Sequence, residues 1–243
     1  MPLFCRPPYE VEEVVSGINP LLAVSRTRTW RKKVLTAAFI DGTESVRNRI
    51  VEFINGPSFW SAYCGISIVF VVDSSADIRI SFEEGASWSF VGTEAQLVSR
   101  DRPTMNFGWF NDSTEDREIA RVVLHEFGHA LGFYHEHDSP LADIQWNKPE
   151  VYKAYAKTHQ YTVDDVDRLV FTPYMKWDTE QQEFDWESIM CYTIPSSWVL
   201  PTETRRIGSK GFLSTIDRLR SRDLYGAPVV KWRHTYMPIV CNN

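Results

Sequence analysis

The residues with the clearest capacity for chemistry lie in one short stretch, HEFGHALGFYHEH, which runs from His125 to His137. His125 and His129 are four residues apart, so on an α-helix their imidazoles lie on the same face, about one turn from each other. That is the separation that two ligands of one Zn²⁺ require. Gly132 is placed to end this helix, because a left-handed glycine lets the chain reverse and bring His135 back as a third ligand.

Three neutral histidines would leave one coordination position of a single zinc ion open for water, which is typical of a catalytic site rather than a structural one. The pKa of a water bound there falls to about 7, so it becomes a usable nucleophile at neutral pH. Glu126 is offset from the ligand face of the helix but close enough to reach such a water, and we interpret it as the general base. His137 lies beyond the turn, and we expect it to be a solvated surface histidine.

The alternative interpretation is a histidine-rich surface helix that binds nothing. Five specified positions, three of them occupied by a rare residue, coincide by chance in a chain of this length only about once in a hundred thousand sequences. The spacing therefore favours a metal site.

The composition of the chain argues against several other classes of function. With 243 residues, 43% of them hydrophobic and 14% aromatic, it is typical of a globular domain. Its 26 basic and 32 acidic side chains give a net charge of -6, and no basic run suits a nucleic acid. The longest apolar run, residues 66–72, is far shorter than the roughly 18 residues of a membrane-spanning helix. We expect a monomer without a nucleic-acid or membrane partner.

The elements that must position the histidines can be outlined from the pattern of apolar residues. A helix is predicted after Asp41 or Thr43, with an apolar face that continues to the Asn-Gly-Pro stop at residues 55–57. Strand-forming residues predict four strands, at residues 34–40, 65–72, 78–82 and 104–110.

The helix that carries His125 and His129 is predicted to begin at the Ser-x-x-Asp signal formed by Ser113 and Asp116. Two further helices are predicted at residues 149–157 and 214–225. No linker divides the chain, so we expect one catalytic domain over residues 30–226. An irregular, proline-rich segment over residues 1–29 would precede it, and a tail over residues 227–243 would follow.

Two motifs together resemble a known superfamily of enzymes. The pattern formed by His125, Glu126, His129, Gly132 and His135 resembles the elongated zinc signature of the metzincin metalloproteases. The stretch SIMCY, residues 188–192, resembles the methionine turn that lies beneath the zinc in that superfamily. The residue after the third histidine is Glu136, and Tyr192 follows Met190 by two positions, which is similar to the astacin family.

This resemblance implies an α+β fold of metzincin-like zincin type. A twisted mixed sheet with two long helices would lie above the active-site cleft, and a mostly irregular half would lie below it. Met190 would form an apolar floor for the zinc site. Tyr192 would be a further zinc ligand that swings away to stabilise the oxyanion during hydrolysis, with an ordinary buried tyrosine as the alternative. The segment 104–110 would be the edge strand against which a peptide substrate pairs, through Thr104, Met105, Asn106, Phe107 and Gly108.

The implied function is that of a zinc metalloendopeptidase, in which Glu126 takes a proton from a zinc-activated water and passes it to the leaving amine. Protein or peptide substrates are the implied partners. Two alternatives stay open: a catalytically silent zinc-binding effector on the same fold, and a zinc amidohydrolase that acts on a non-peptide substrate. The pocket for the residue after the scissile bond is expected around residues 193–206, where Arg205 and Arg206 could attract acidic side chains or be solvated.

The chain also departs from the family pattern. Cys191 replaces the histidine common inside the astacin turn, and the four cysteines allow three pairings that sequence cannot rank. The chain begins Met1-Pro2, so Glu136 could have a partner other than a freed N-terminus. A further hypothesis is that Cys5 caps the zinc, with a disulfide to Cys241 or plain surface exposure as the alternatives. No signal peptide is recognisable, while the family resemblance favours secretion, so the compartment stays open between secreted and cytoplasmic.

Overall fold

The computed structural model describes residues 28–73, 75–139, 141–172, 184–191, 193–208 and 210–228. Nearly all of the predicted tail and of the predicted N-terminal segment therefore lies outside the described residues, as do Tyr192, Cys5 and Cys241. Cys64 and Cys191 are buried and carry free thiols. Within the described ranges, no helix is both long and apolar enough to cross a membrane.

A five-stranded mixed sheet forms the upper half of the molecule, with the strand order β2-β1-β3-β5-β4. Its strands are β1 Val34–Phe39, β2 Ser67–Phe70, β3 Ile78–Ser81, β4 Trp88–Ser89 and β5 Met105–Asn106. β1 pairs in parallel with both β2 and β3, and β3 pairs in parallel with β5. β4 alone among these strands runs antiparallel, against β5. The strands predicted at residues 34–40, 65–72 and 78–82 correspond to β1, β2 and β3.

The prediction of an edge strand over residues 104–110 is wrong. Only Met105 and Asn106 form a strand, and β5 is paired on both sides, with β3 and with β4. The backbone next to β5 is occupied as well, since Phe90 N donates to Thr104 O at 3.0 Å and Phe107 N donates to Ser81 O at 3.0 Å. All five residues predicted to bind substrate are buried: Thr104, Met105, Asn106, Phe107 and Gly108. The sequence pattern missed the edge because β4 has only two residues, too few to show an alternating pattern.

Two helices bury their apolar faces in the same core as the sheet. α1, Glu44–Ile54, begins where the Thr43 side chain accepts a hydrogen bond from Val46 N at 3.4 Å, and it buries Val46, Ile50 and Ile54. α2, Asp116–Ala130, is buried without interruption from Val122 to its end. Its N-cap is Glu115 rather than the predicted Ser113, whose hydroxyl donates instead to Asn111 Oδ1. The shared core explains why α2 forms a rigid support for its histidines.

In the described part of the lower half, residues 133–228, helices alternate with irregular stretches. α3 is Lys148–His159, α4 is Val163–Val166 and continues as a π-helical turn over Asp167–Phe171, and α5 is Thr215–Tyr225. α3 and α5 agree with the predicted helices, whereas α4 was not predicted. Ser214 and Asp217 form a capping box at the start of α5. Apart from Ile189, Met190, Leu213 and Tyr225, which join the core of the upper half, the lower half is packed around two small apolar clusters.

Candidate metal centre

The three histidines of the motif come together in the structure. One ring nitrogen from each of His125, His129 and His135 lies within 4.8 Å of the other two, and all three side chains are buried. The closest pair is His129 Nε2 and His135 Nε2, which are 3.0 Å apart. This cluster is compact enough for all three nitrogens to reach one metal ion.

The reversal that brings in His135 occurs where α2 ends. Gly132 has a φ of 98°, in the left-handed region that favours glycine. The turn is closed by two backbone hydrogen bonds, from Gly132 N to His129 O at 2.7 Å and from Phe133 N to Gly128 O at 3.0 Å. These bonds satisfy carbonyls at the end of α2 and direct the chain toward His135.

Backbone carbonyls orient two of the imidazoles. His125 Nδ1 lies 2.7 Å from Ile189 O, and His129 Nδ1 lies 2.8 Å from Phe133 O. Because a carbonyl oxygen can only accept, each Nδ1 must carry the proton, which leaves a lone pair on each Nε2. Burial lowers the pKa of His125 well below its usual value, and the neighbouring His129 acts in the same direction. Both effects favour the neutral form of His125, which is the form that binds a metal.

The donor set fits zinc. Three buried imidazole nitrogens match the ligands of a catalytic zinc site, in which the fourth position is left to water or substrate. Glu126 follows His125 on α2 and is itself buried, with 2% of its surface exposed. Tyr192, the proposed further ligand, lies outside the described residues.

Met190 packs directly against α2 between the ligands. A Cβ added at Gly128 would overlap Met190 Sδ and would lie 3.1 Å from the Trp60 ring, so a side chain at this position has no room. Trp60 in turn donates from Nε1 to Leu124 O at 2.8 Å. Gly128 and Trp60 are thus parts of the site that the sequence analysis missed. The signal for Gly128 was a glycine inside a helix, which often marks a close contact.

The turn that carries Met190 is held by the first turn of α5. Asp217 Oδ2 accepts from Ile189 N at 2.8 Å and from Ser214 N at 2.9 Å, and Asp217 Oδ1 accepts from Ser188 Oγ at 2.7 Å. Burial raises the pKa of Asp217, while these three hydrogen bonds act against that rise. Since Ile189 also supplies the carbonyl for His125, Asp217 is connected to a metal ligand through one residue.

Glu136 has a partner within the described part of the chain, as the sequence analysis allowed. Its Oε2 accepts from Arg220 Nη1 at 2.8 Å and its Oε1 accepts from Asp185 N at 2.9 Å. Its own backbone N–H donates to Met190 O at 3.0 Å. Burial raises the pKa of Glu136, and the Arg220 guanidinium opposes this. Glu136 therefore joins the third ligand, the methionine turn and α5.

The prediction that His137 is a solvated surface residue is wrong. The 3₁₀ turn Glu136–Asp138 folds inward, and His137 and Asp138 are only 9% and 4% exposed. His137 Nε2 lies 3.4 Å from Asp138 Oδ1, and His135 Nδ1 lies 3.7 Å from Asp138 Oδ2. The sequence pattern did not show this because the inward direction of the turn depends on the packing of the lower half.

This architecture is similar to that of proteins with solved structures. The chain is similar to the solved structure of myroilysin, at 37% identity with a TM-score of 0.76, covering 83% of this chain and 97% of that one. It is also similar to high choriolytic enzyme 1, a hatching enzyme zinc-protease from Oryzias latipes, with a TM-score of 0.56 and coverage of 84% and 98%. At 19% identity, that second likeness shows the fold alone.

Curated relatives match over a shorter region. Interstitial collagenase B from Mus musculus is 25% identical over 138 residues, which are 51% of this chain and 30% of that protein. Matrix metalloproteinase-20 from Homo sapiens is 31% identical over 123 residues, which are 45% of this chain and 26% of that protein. The chain thus spans less than a third of the length of either relative.

The sequence profile of Astacin, a peptidase family, matches residues 23–225, which is most of the chain. The match agrees with the fold, in which a mixed sheet and two long helices stand above a largely irregular half. The predicted fold class and the predicted class of enzyme, a peptidase, are therefore confirmed. The chain belongs to the astacin family of peptidases.

Proposed function

We propose that this chain is a zinc metalloendopeptidase that hydrolyses peptide bonds in proteins or peptides. The observation that carries the proposal is the convergence of His125, His129 and His135, three buried imidazoles, with the buried Glu126 directly after the first of them on α2. When bound by the three imidazoles, one zinc ion supplies positive charge that polarises the scissile carbonyl and lowers the pKa of a water.

Three residues of the chain have further roles in hydrolysis. Glu126 accepts the proton of the attacking water and gives it to the leaving amine. A general base does this at hydrogen-bond distance from the group whose proton it takes. Met190 keeps the floor of the site apolar. Tyr192, on the strength of the family resemblance, adds a ligand and a hydrogen-bond donor for the developing oxyanion.

We propose that a peptide substrate pairs with β4, in place of the earlier hypothesis that it pairs with residues 104–110. β4 lies at the end of the sheet and contacts α2, the helix that carries the ligands. The side chains of Trp88 and Ser89 are buried, so the proposal rests on the strand order, which places β4 at the end of the sheet. An extended peptide would pair with its outer side through backbone hydrogen bonds. Arg205 is unsuited to line a substrate pocket. Its guanidinium donates a hydrogen bond to Glu203 and stacks over the Trp186 ring, 3.8 Å from the ring centroid.

Two other functions share the fold and the site. A silent zinc-binding effector would bind the ion without hydrolysing peptides, and an amidohydrolase would act on a non-peptide amide. The filled position of Glu126 favours hydrolysis over the first. A quenched-peptide assay with and without chelator separates the peptidase from the other two, because only the peptidase shows chelator-sensitive peptide cleavage. We further propose that the chain acts as a monomer without nucleic acid or membrane.

The test of the proposed function is Glu126→Gln, which removes the proton acceptor and keeps the shape of the side chain. We expect kcat/KM on a peptide to fall about 10²–10⁴-fold, while zinc content stays the same. Glu115→Gln, an exposed change at the N-cap of the same helix, is the matched control and should keep full activity. Wild-type turnover in the Glu126 variant would refute the assignment.

A further inference from the structure

A second cluster of metal-binding side chains lies behind the third ligand. His135, His137 and Asp138 each offer one ligand atom within 4.8 Å of the other two, and all three residues are buried. The rings of His135 and His137 are nearly parallel, with centroids 5.1 Å apart. The Asp138 carboxylate turns one oxygen toward each ring.

Both distances to the Asp138 carboxylate exceed those of hydrogen bonds, and the one to His137 matches the separation of two ligands of one ion. His137 Nε2 and Asp138 Oδ1 are 3.4 Å apart, and His135 Nδ1 and Asp138 Oδ2 are 3.7 Å apart. Hydrogen bonds to a carboxylate usually span about 2.7–3.2 Å. Two ligand atoms bound to one tetrahedral zinc at about 2.0–2.1 Å lie about 3.3–3.4 Å from each other.

The surroundings also suit a cation. Asp138 is only 4% exposed, and a carboxylate buried to that degree is stabilised by a positive charge beside it. A cavity of about 150 Å³ adjoins the cluster, with His137, Asp138 and Ser139 among its polar lining and Trp146, Val170 and Phe171 among its apolar lining. The cavity gives a bound ion room for a water molecule to complete its coordination.

We propose that His137, Asp138 and His135 form a second divalent-cation site, suited to zinc, which shares His135 with the catalytic ion. His135 uses Nε2 for the catalytic ion and Nδ1 for the second, and the Nδ1 proton is released to solvent when the second ion binds. The inference rests on the proposed function in taking His135 as a catalytic ligand. Because the second ion draws electron density from that imidazole, its binding should lower hydrolysis about tenfold.

Zinc titration of the purified full chain tests the proposal. Equilibrium dialysis against zinc chloride, with bound metal measured by atomic absorption, should show one tight ion and one weaker ion per chain. Peptide hydrolysis should fall as the second ion binds.

His137→Asn and Asp138→Asn should each keep the first ion and full activity at low zinc, but lose both the second ion and the inhibition. Asp143→Asn, a change at a nearby exposed carboxylate, should behave like the wild type.

The outcomes separate this inference from the proposed function. A wild-type chain that hydrolyses peptides but binds only one ion at saturating zinc would overturn the second site and leave the peptidase intact. A second ion that persists in both the His137 and Asp138 variants would also overturn it. A chain that binds zinc but never cleaves peptides would instead refute the proposed function. Retention of the first ion shows that each variant has folded.

Discussion

The two halves of the molecule hold the metal site in different ways. In the upper half, His125 and His129 sit on α2, whose buried face packs into a continuous apolar core with the sheet. In the lower half, His135 and the turn around Met190 are held by buried polar side chains, chiefly Asp217 and Glu136. The helix that carries two of the ligands is thus held by the general burial of apolar surface, whereas the third ligand and the turn that orients His125 are held by particular hydrogen bonds.

This difference changes what a substitution should do. Apolar burial is non-directional, so a smaller side chain in the upper core lowers stability without moving the site far. A buried polar network is directional, and removing one member leaves donors unsatisfied at the site itself. Measuring both zinc affinity and the free energy of unfolding distinguishes the two kinds of support.

The largest effect is expected from Asp217→Ala. The change leaves Ile189 N, Ser214 N and the Ser188 hydroxyl without their acceptor in a buried place, at a cost of about 3–5 kcal/mol in the free energy of unfolding. Zinc affinity should also fall about 10–100-fold, because Ile189 orients His125. Urea unfolding of the apo chain and chelator competition measure the two quantities.

Two further variants test whether that loss is specific. Ser214→Ala removes the cap of α5 and should cost about 1 kcal/mol with unchanged zinc affinity. Asp217→Asn retains an accepting oxygen and should recover part of both losses. Equal zinc affinity in Asp217→Ala and Ser214→Ala would show that α5 does not support the metal site.

Leu35→Ala probes the other half. Leu35 is fully buried in β1, and its loss should cost about 2–5 kcal/mol through lost burial and the cavity that remains. Its side chain takes no part in the hydrogen bonds that orient the imidazoles, so zinc affinity of the folded chain should stay the same. A tenfold loss of zinc affinity here would contradict the division between the halves.

Gly128→Ala tests the contact where the halves meet. The new methyl group would overlap Met190 Sδ, and we expect a cost of about 1–3 kcal/mol from overpacking. Met190→Ala opens space at that point, so the double variant should be less destabilised than the sum of the two single variants. Thermal unfolding of all four proteins gives the coupling energy. Strict additivity would mean that the two residues do not press on each other.

The smallest effect is expected from Glu203→Gln in the lower half. Hydrogen bonds from Arg205 lower the pKa of Glu203 from 4.5 to about 2. Because the folded pKa is the lower one, the ion pair stabilises the fold above pH 4.5 and its contribution disappears as the pH falls toward 2. The variant should lose at most about 1 kcal/mol at pH 6. Its melting temperature should converge with that of the wild type on acidification, and a constant gap would disprove the assignment.

Much of the upper half could be predicted from local patterns. The apolar periodicity located β1, α1 and the body of α2, since each period is a property of a few consecutive residues. Prediction failed at β5 and β4, because a pattern of alternating residues does not reveal which neighbours a strand has. The start of α2 was also misplaced, because Ser113 bonds to Asn111 instead of capping the helix.

The sequence by itself determined the ligand pair, since the spacing of His125 and His129 fixes their positions on any helix. It also indicated the reversal at Gly132, because few other residues adopt a left-handed conformation at low cost. Only the tertiary structure decided the partners that cross long distances along the chain. Arg220 forms a hydrogen bond with Glu136, which lies 84 residues away in the sequence, and Ile189 forms one with His125, which lies 64 residues away. Both contacts depend on how the lower half packs. The burial of His137 was decided in the same way, because the direction of a short turn is set by the core beneath it.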